Sequence, residues 1–127
     1  VRFVNDSKAT NIEAASRSIE SFGGGVVAIL GGKFKGGDLR DLRGPLAARG
    51  RAVVAIGEAA PLVAAAVEGV VPVVHAATMD EAVARGYAAA QPDGVVLLAP
   101  ACASFDWFTD YAARGRAFKA AVARLEA

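Results

Sequence analysis

VVLLAPACASFDWFTDYAARGRAF, residues 95–118, decides how the rest of the chain must be arranged. It opens on Val95 to Ala99, an unbroken apolar run of the kind found in a strand covered on both faces. Pro100 has no N–H to offer a central ladder, so the strand is expected to stop there. Small residues follow, then Ser104. From Phe105 onward, Phe108, Tyr111, Ala112, Gly115, Phe118 and Val122 recur at helical spacing. The stretch therefore reads as a buried strand, a tight loop and a long helix, with Ser104 at the helix start. In open α/β sheets, ligands gather outside the carboxyl ends of strands. A hydroxyl beside the N–H groups of a helix start suits an anionic oxygen. A plain N-cap accounts for Ser104 equally well.

Upstream, the pattern repeats. Arg2 to Asn5 reads as a short strand and Asn5 to Asn11 as a polar loop. Thr10-Asn11-Ile12-Glu13 has capping-box spacing and opens a helix whose apolar side is Ile12, Ala15, Ile19 and Phe22. Gly23-Gly24-Gly25 ends it. Val26 to Leu30 is a second buried strand, running into a glycine-rich loop to Asp38. Leu39 to Arg49 reads as helix, broken or kinked at Gly44-Pro45. Ala52 to Ile56 is a third strand, Glu58 to Val67 a helix with Pro61 in its first turn, and Val71 to His75 a fourth strand. Thr78-Met79-Asp80-Glu81 is a second capping box, for a helix to about Ala90. Five strands alternating with helices predict one three-layer α/β/α, Rossmann-like domain over residues 1–127, with a mainly parallel sheet.

Composition narrows the function. A formal net charge of +1 over 127 residues gives no broad field for nucleic acid or an anionic membrane. Apolar runs are interrupted well short of a membrane span. The single cysteine excludes an internal disulfide and fits a reducing cytoplasm. No signal-peptide pattern is visible, and a start at Val1 suits an excised piece.

The polar residues are concentrated. Loops after the first, second and fifth strands carry Asp6, Ser7, Lys8, Thr10, Lys33, Lys35, Asp38 and Ser104, whereas those after the third and fourth offer little beyond Glu58 and His75. Lysines, hydroxyls and helix starts together accept negative oxygens. Each also has a plainer use: Thr10 and Asp38 as N-caps, Lys35 as a solvated charge. Gly31 to Asp38 matches neither the P-loop nor the dinucleotide spacing. His75, the only histidine, has no companion ligand, so a metal site is not expected and packing at the end of the fourth strand is. Cys102 has no local base and reads as a buried small residue. Trp107 reads as a surface or interface aromatic.

Three motifs in order, NDSKATN (5–11), GGKFKGGD (31–38) and PACASFD (100–106) followed by Arg114-Gly115 and Phe118, resemble the C-terminal domain of the Mur ligases, nearest the D-glutamate-adding branch. The resemblance covers essentially the whole chain. It implies the amino-acid-receiving domain of a three-domain, ATP- and Mg²⁺-dependent enzyme of peptidoglycan synthesis. The UDP-sugar and central ATPase domains lie outside this chain. The implied reaction activates UDP-N-acetylmuramoyl-L-alanine as an acyl phosphate, which the D-glutamate amine attacks. By the resemblance, Asp6 lies near the ATP ribose and Lys8 between the nucleotide and acceptor sites. Thr10 and Lys35 hold D-glutamate carboxylates. Ser104, with Phe105 beside it, and the Tyr111 backbone N–H bind the distal carboxylate. No catalytic residue and no metal ligand are implied in this domain, and the chain alone is expected to be inactive. Ala99, Phe34 and Leu39 depart from the usual pattern without removing a contact residue. A stand-alone small-molecule binding or regulatory module of flavodoxin-like build, or a docking domain with a degenerate site, are the alternative readings.

The three polar loops can meet only if strands one, five and two are neighbours, so the expected sheet order is 1-5-2-3-4. Strand one is then an edge, and Lys8, Lys35 and Ser104 are expected to line one cleft. The resemblance further implies an antiparallel partner for strand one ahead of Val1.

Overall fold

A computed structural model describes residues 1–104 and 107–126. Its elements are β1 (Arg2–Asn5), α1 (Ile12–Glu20), β2 (Val26–Gly31), a 3-10 turn (Leu39–Leu42), α2 (Arg43–Arg49), β3 (Gly50–Ile56), α3 (Ala60–Val67), β4 (Val73–Ala76), α4 (Met79–Ala90), β5 (Val95–Ala101) and α5 (Tyr111–Glu126). The strands form one sheet in the order β1-β5-β2-β3-β4, and every pairing is parallel. Both the fold class and the strand order agree with the sequence reading.

Why β5 lacks polar alternation is visible in the two cores. Val95, Leu97 and Ala99 point to the side covered by α1, the 3-10 turn, α2 and α3, where Ile19, Leu42, Leu46 and Val63 pack. Val96 and Leu98 point to the side covered by α4 and α5, against Ala82, Val83 and Phe118. Each successive residue thus enters one apolar layer or the other, as a central parallel strand requires. β1 is less protected: its residues are exposed or half-buried, and among the described residues only β5 pairs with it. Arg2 lies over the Phe22 ring at 5.8 Å, and Phe3 stacks on Tyr87.

Several expected boundaries shift. β5 runs through Pro100 to Ala101 instead of stopping before the proline. The reason is a register irregularity: Ile29 pairs with Leu98 and Gly31 with Ala101. Pro100 falls inside that step, where the ladder makes no demand on its missing N–H. The segment 39–49 splits into a 3-10 turn and α2, with Gly44-Pro45 inside the first turn of α2, where proline is tolerated. α1 is capped by Asn11, whose side chain accepts from Ala14 N–H, so Thr10 lies one position ahead of the cap. The second capping box forms: Thr78 Oγ1 accepts from Glu81 N–H, and Glu81 Oε1 reaches back to the N–H of Ala77. His75 lies on the edge strand β4 and is exposed rather than packed. Cys102 is buried, as expected.

Candidate functional site

The loops after β1, β2 and β5 are stitched together by backbone bonds at the carboxyl end of the sheet. Asp6 N–H donates to Leu98 O at 2.8 Å, and Ala101 N–H to Ala9 O at 2.9 Å. Ala101 adopts a left-handed conformation there, at φ 64°. Lys33 N–H donates to Ala103 O at 2.8 Å and Ala103 N–H to Lys33 O at 3.0 Å, a short antiparallel bridge between the second and fifth loops. This seam needs Gly32. Its φ is +130°, and a Cβ there would lie 2.3 Å from Ala103 O, so only glycine lets the two backbones approach so closely.

A buried arginine fixes the first and fifth loops to α5. Arg114 is 1% exposed. Its Nη2 donates to Ser7 O at 3.1 Å and Cys102 O at 3.0 Å, and its Nε to Ser7 Oγ at 3.2 Å. The Ser7 hydroxyl in turn donates to Tyr111 O at 2.6 Å. Ser7 is therefore spent on structure, not on a ligand. The sequence singled out Arg114 only within a family motif. A signal was present: Arg114, Phe118 and Ala121 fall on one helical stripe, and all three are buried.

The expected site residues fall as follows. Asp6 and Thr10 are half-buried, and Lys8 and Lys35 are exposed. Ser104 is buried, at 2%, and is not at a helix start. Its carbonyl accepts from Trp107 and Phe108 N–H in a turn, and α5 begins only at Tyr111. Asp110 Oδ1 accepts from Ala113 N–H at 2.7 Å, the cap that Ser104 was expected to supply. Tyr111 is 51% exposed, and in a helix's first turn its N–H has no intrahelical acceptor. Phe105 lies outside the described residues. Lys8 and Tyr111 line one cavity of about 350 Å³, and Asp6 and Lys8 line a second. Neither cavity takes in Lys35 or Ser104; these two loops meet through the Lys33–Ala103 bridge.

Charge is distributed unevenly around this seam. Arg17, Arg40, Arg51, Arg85 and Arg124 pair with carboxylates. Arg43 and Arg49 donate to carbonyls. Lys8, Lys33, Lys35, Arg116 and Lys119 have no such partner among the described residues. All of these lie in the loops of the seam or on the flank of α5. Asp38 does not serve the lysines: it caps the 3-10 turn and pairs with Arg40 at 3.0 Å. The side-chain hydrogen bond from Arg40, then its backbone N–H, hold the Asp38 carboxyl below the ordinary carboxylate range. What this pair contributes is thus present at neutral pH and lost on acidification. Among the described residues no group of three His, Cys, Asp or Glu side chains is fit to hold a metal ion. No helix there is long and apolar enough to cross a membrane.

The family model described as Mur ligase, glutamate ligase domain matches residues 1–102. The UDP-N-acetylmuramoylalanine–D-glutamate ligase of Acidobacterium capsulatum is 52% identical over 119 residues, covering 94% of this chain and 26% of that enzyme. The Solibacter usitatus enzyme of the same name is 50% identical, covering 99% of the chain and 28% of the enzyme. That of Pseudomonas aeruginosa is 46% identical, covering 98% and 29%. The chain thus spans well under a third of the length of the relatives it matches. With that model matched over most of its residues and such identity along nearly its full length, the chain belongs to the Mur ligase family, as its glutamate ligase domain.

Proposed function

We propose that this chain is the amino-acid-receiving domain of an ATP-dependent ligase that joins D-glutamate to UDP-N-acetylmuramoyl-L-alanine in the cytoplasm. The observation that carries the reading is the seam. Three loops bearing Lys8, Thr10, Lys35 and Ser104 are bonded to one another, and cations that pair with no carboxylate among the described residues gather around them. A dicarboxylic amino acid is the ligand such a set accepts, because each carboxylate gains charge-assisted hydrogen bonds.

In this reading Lys35 and Thr10 take one carboxylate, and Ser104 Oγ with the Tyr111 N–H takes the other. Phe105 belongs to the same proposed set. The amine is thereby presented to the activated carboxyl of the acceptor, an acyl phosphate in the proposed scheme. Holding two reactants in register is a large part of such a reaction's acceleration. Asp6 is suited by position and half-burial to a ribose hydroxyl, and Lys8 to the boundary between nucleotide and amino acid. ATP supplies the activating phosphoryl group. The glycine loop after β2 lacks P-loop spacing, and the described residues offer no magnesium ligand set. Cradling the transferring phosphates and their metal is therefore assigned to other domains of the enzyme, and the isolated chain is proposed to be inactive.

The test is made in the full-length enzyme. Lys35→Ala and Ser104→Ala should each remove about 1.5–3 kcal/mol of binding, raising the D-glutamate KM while acyl-phosphate formation from ATP persists. Unchanged dependence on D-glutamate in both variants would refute the assignment.

A further inference from the structure

Lys8, Arg116 and Lys119 converge on the 350 Å³ cavity between the loop after β1 and the flank of α5, together with Asn5, Ser7 and Tyr111. Among the described residues no acidic one lines this cavity. No carboxylate among the described residues pairs with any of the three cations. That concentration is out of keeping with a chain of 14 basic and 13 acidic residues, half of whose arginines pair with carboxylates. The walls are held close: a Cβ on Gly115 would lie 2.9 Å from Asn5 Nδ2 and 3.3 Å from Ser7 Cβ. α5 therefore lies directly against the loop, which holds the backbone that carries Lys8 close to the helix cations. Arg116 and Lys119 are three residues apart, neighbours on the helix surface, where like charges oppose each other.

We propose that this cavity binds a condensed phosphate: a diphosphate group, free or carried by a nucleotide. A single carboxylate would leave most of the positive charge uncompensated. A diphosphate puts several negative oxygens on one compact group, to which lysines and an arginine donate charge-assisted hydrogen bonds. The lining also offers the Asn5 amide and the Tyr111 hydroxyl as donors. Thr10, Lys35 and Ser104 do not line the cavity. Lys8 and Tyr111 are shared with the proposed amino-acid set, so the inference is tested at Arg116 and Lys119, which have no part in that reading.

The experiment is a titration of the 127-residue chain with inorganic pyrophosphate, followed by amide chemical shifts at low and physiological salt. Saturable shifts at Lys8 and along Tyr111 to Lys119 are expected, weakening with salt because exposed charges are screened. Arg116→Gln combined with Lys119→Gln should weaken binding by roughly tenfold or more. Both positions are exposed, so the fold is unaffected. Arg124→Gln, farther along α5, should bind as the parent does. A parallel titration with ADP separates the sources: tighter binding than pyrophosphate identifies a nucleotide-borne diphosphate, and equal or weaker binding a free one. Absence of saturable binding, shifts confined to the Lys33–Lys35 loop, or unchanged affinity in the double variant would overturn the proposal.

Discussion

Arg114 shows what one side chain can impose on a site it never enters. A guanidinium taken out of water must find acceptors, or its burial costs several kcal/mol. Here it donates to the Ser7 and Cys102 carbonyls and to the Ser7 hydroxyl, fixing the first and fifth loops against α5. Arg114→Ala would open a cavity and leave those carbonyls without their donor. The expected loss is about 3 kcal/mol or more of unfolding free energy, read by urea denaturation. Arg114→Lys, which keeps the charge but not the fork, should recover only part of it. A loss near zero for the alanine variant would show the clamp to be dispensable. Such residue-scale facts were the hardest to read from sequence. Ser7, Lys8 and Thr10 stand together in one motif, yet nothing local distinguishes the buried Ser7 from the exposed Lys8. That difference is made by Arg114, more than a hundred positions away. The site residues were named from motif order; their distribution over separate cavities depends on tertiary contacts that no spacing encodes.

At the scale of elements, sequence patterns gave existence and order well and ends less well. Thr78 capped its helix as spaced, because the side chains that satisfy the cap lie within one turn. At α1 the same signature misled by one residue, since Asn11 next to Thr10 is an equally good cap and took the bond. The start of α5 misled by more. Helical spacing of apolar residues begins ahead of the helix because Phe108 packs against the second core from within a turn, so periodicity alone cannot locate the boundary. Asp110 does locate it. Asp110→Ala removes the acceptor of the Ala113 N–H and should cost about 1 kcal/mol, with circular dichroism and thermal melting as the measure. The first turn of α5 also carries Tyr111, whose carbonyl anchors Ser7. The same variant should therefore broaden the amide signals of Ser7 and Lys8 more than those of β3, and uniform broadening would dissociate the cap from the seam.

At the scale of the molecule, the order β1-β5-β2-β3-β4 makes the last strand the centre. Polar residues in three loops far apart in sequence must share one end of the sheet, and only insertion of β5 between β1 and β2 brings those loops together. That inference was available from the sequence because loop composition, unlike loop conformation, survives without coordinates. The same order leaves β1 with a single neighbour. Its pairing with β5 joins residues as distant as Arg2 and Val95, so closing it costs chain entropy that only four residue pairs repay directly. Among the described residues its outer N–H and C=O groups face no strand, and its side chains are only partly covered: Phe3 and Val4 pack at the margins of the two cores, Arg2 lies over Phe22 and Phe3 stacks on Tyr87. Local opening should therefore start there. In amide hydrogen exchange, β1 should lose protection first among the strands, while Val27 to Leu30 and Val96 to Leu98, buried on both faces, should exchange only with global unfolding. Protection of Phe3 and Val4 equal to that of β2 would show that the seam beyond Asn5, and not the ladder, holds the first strand in place.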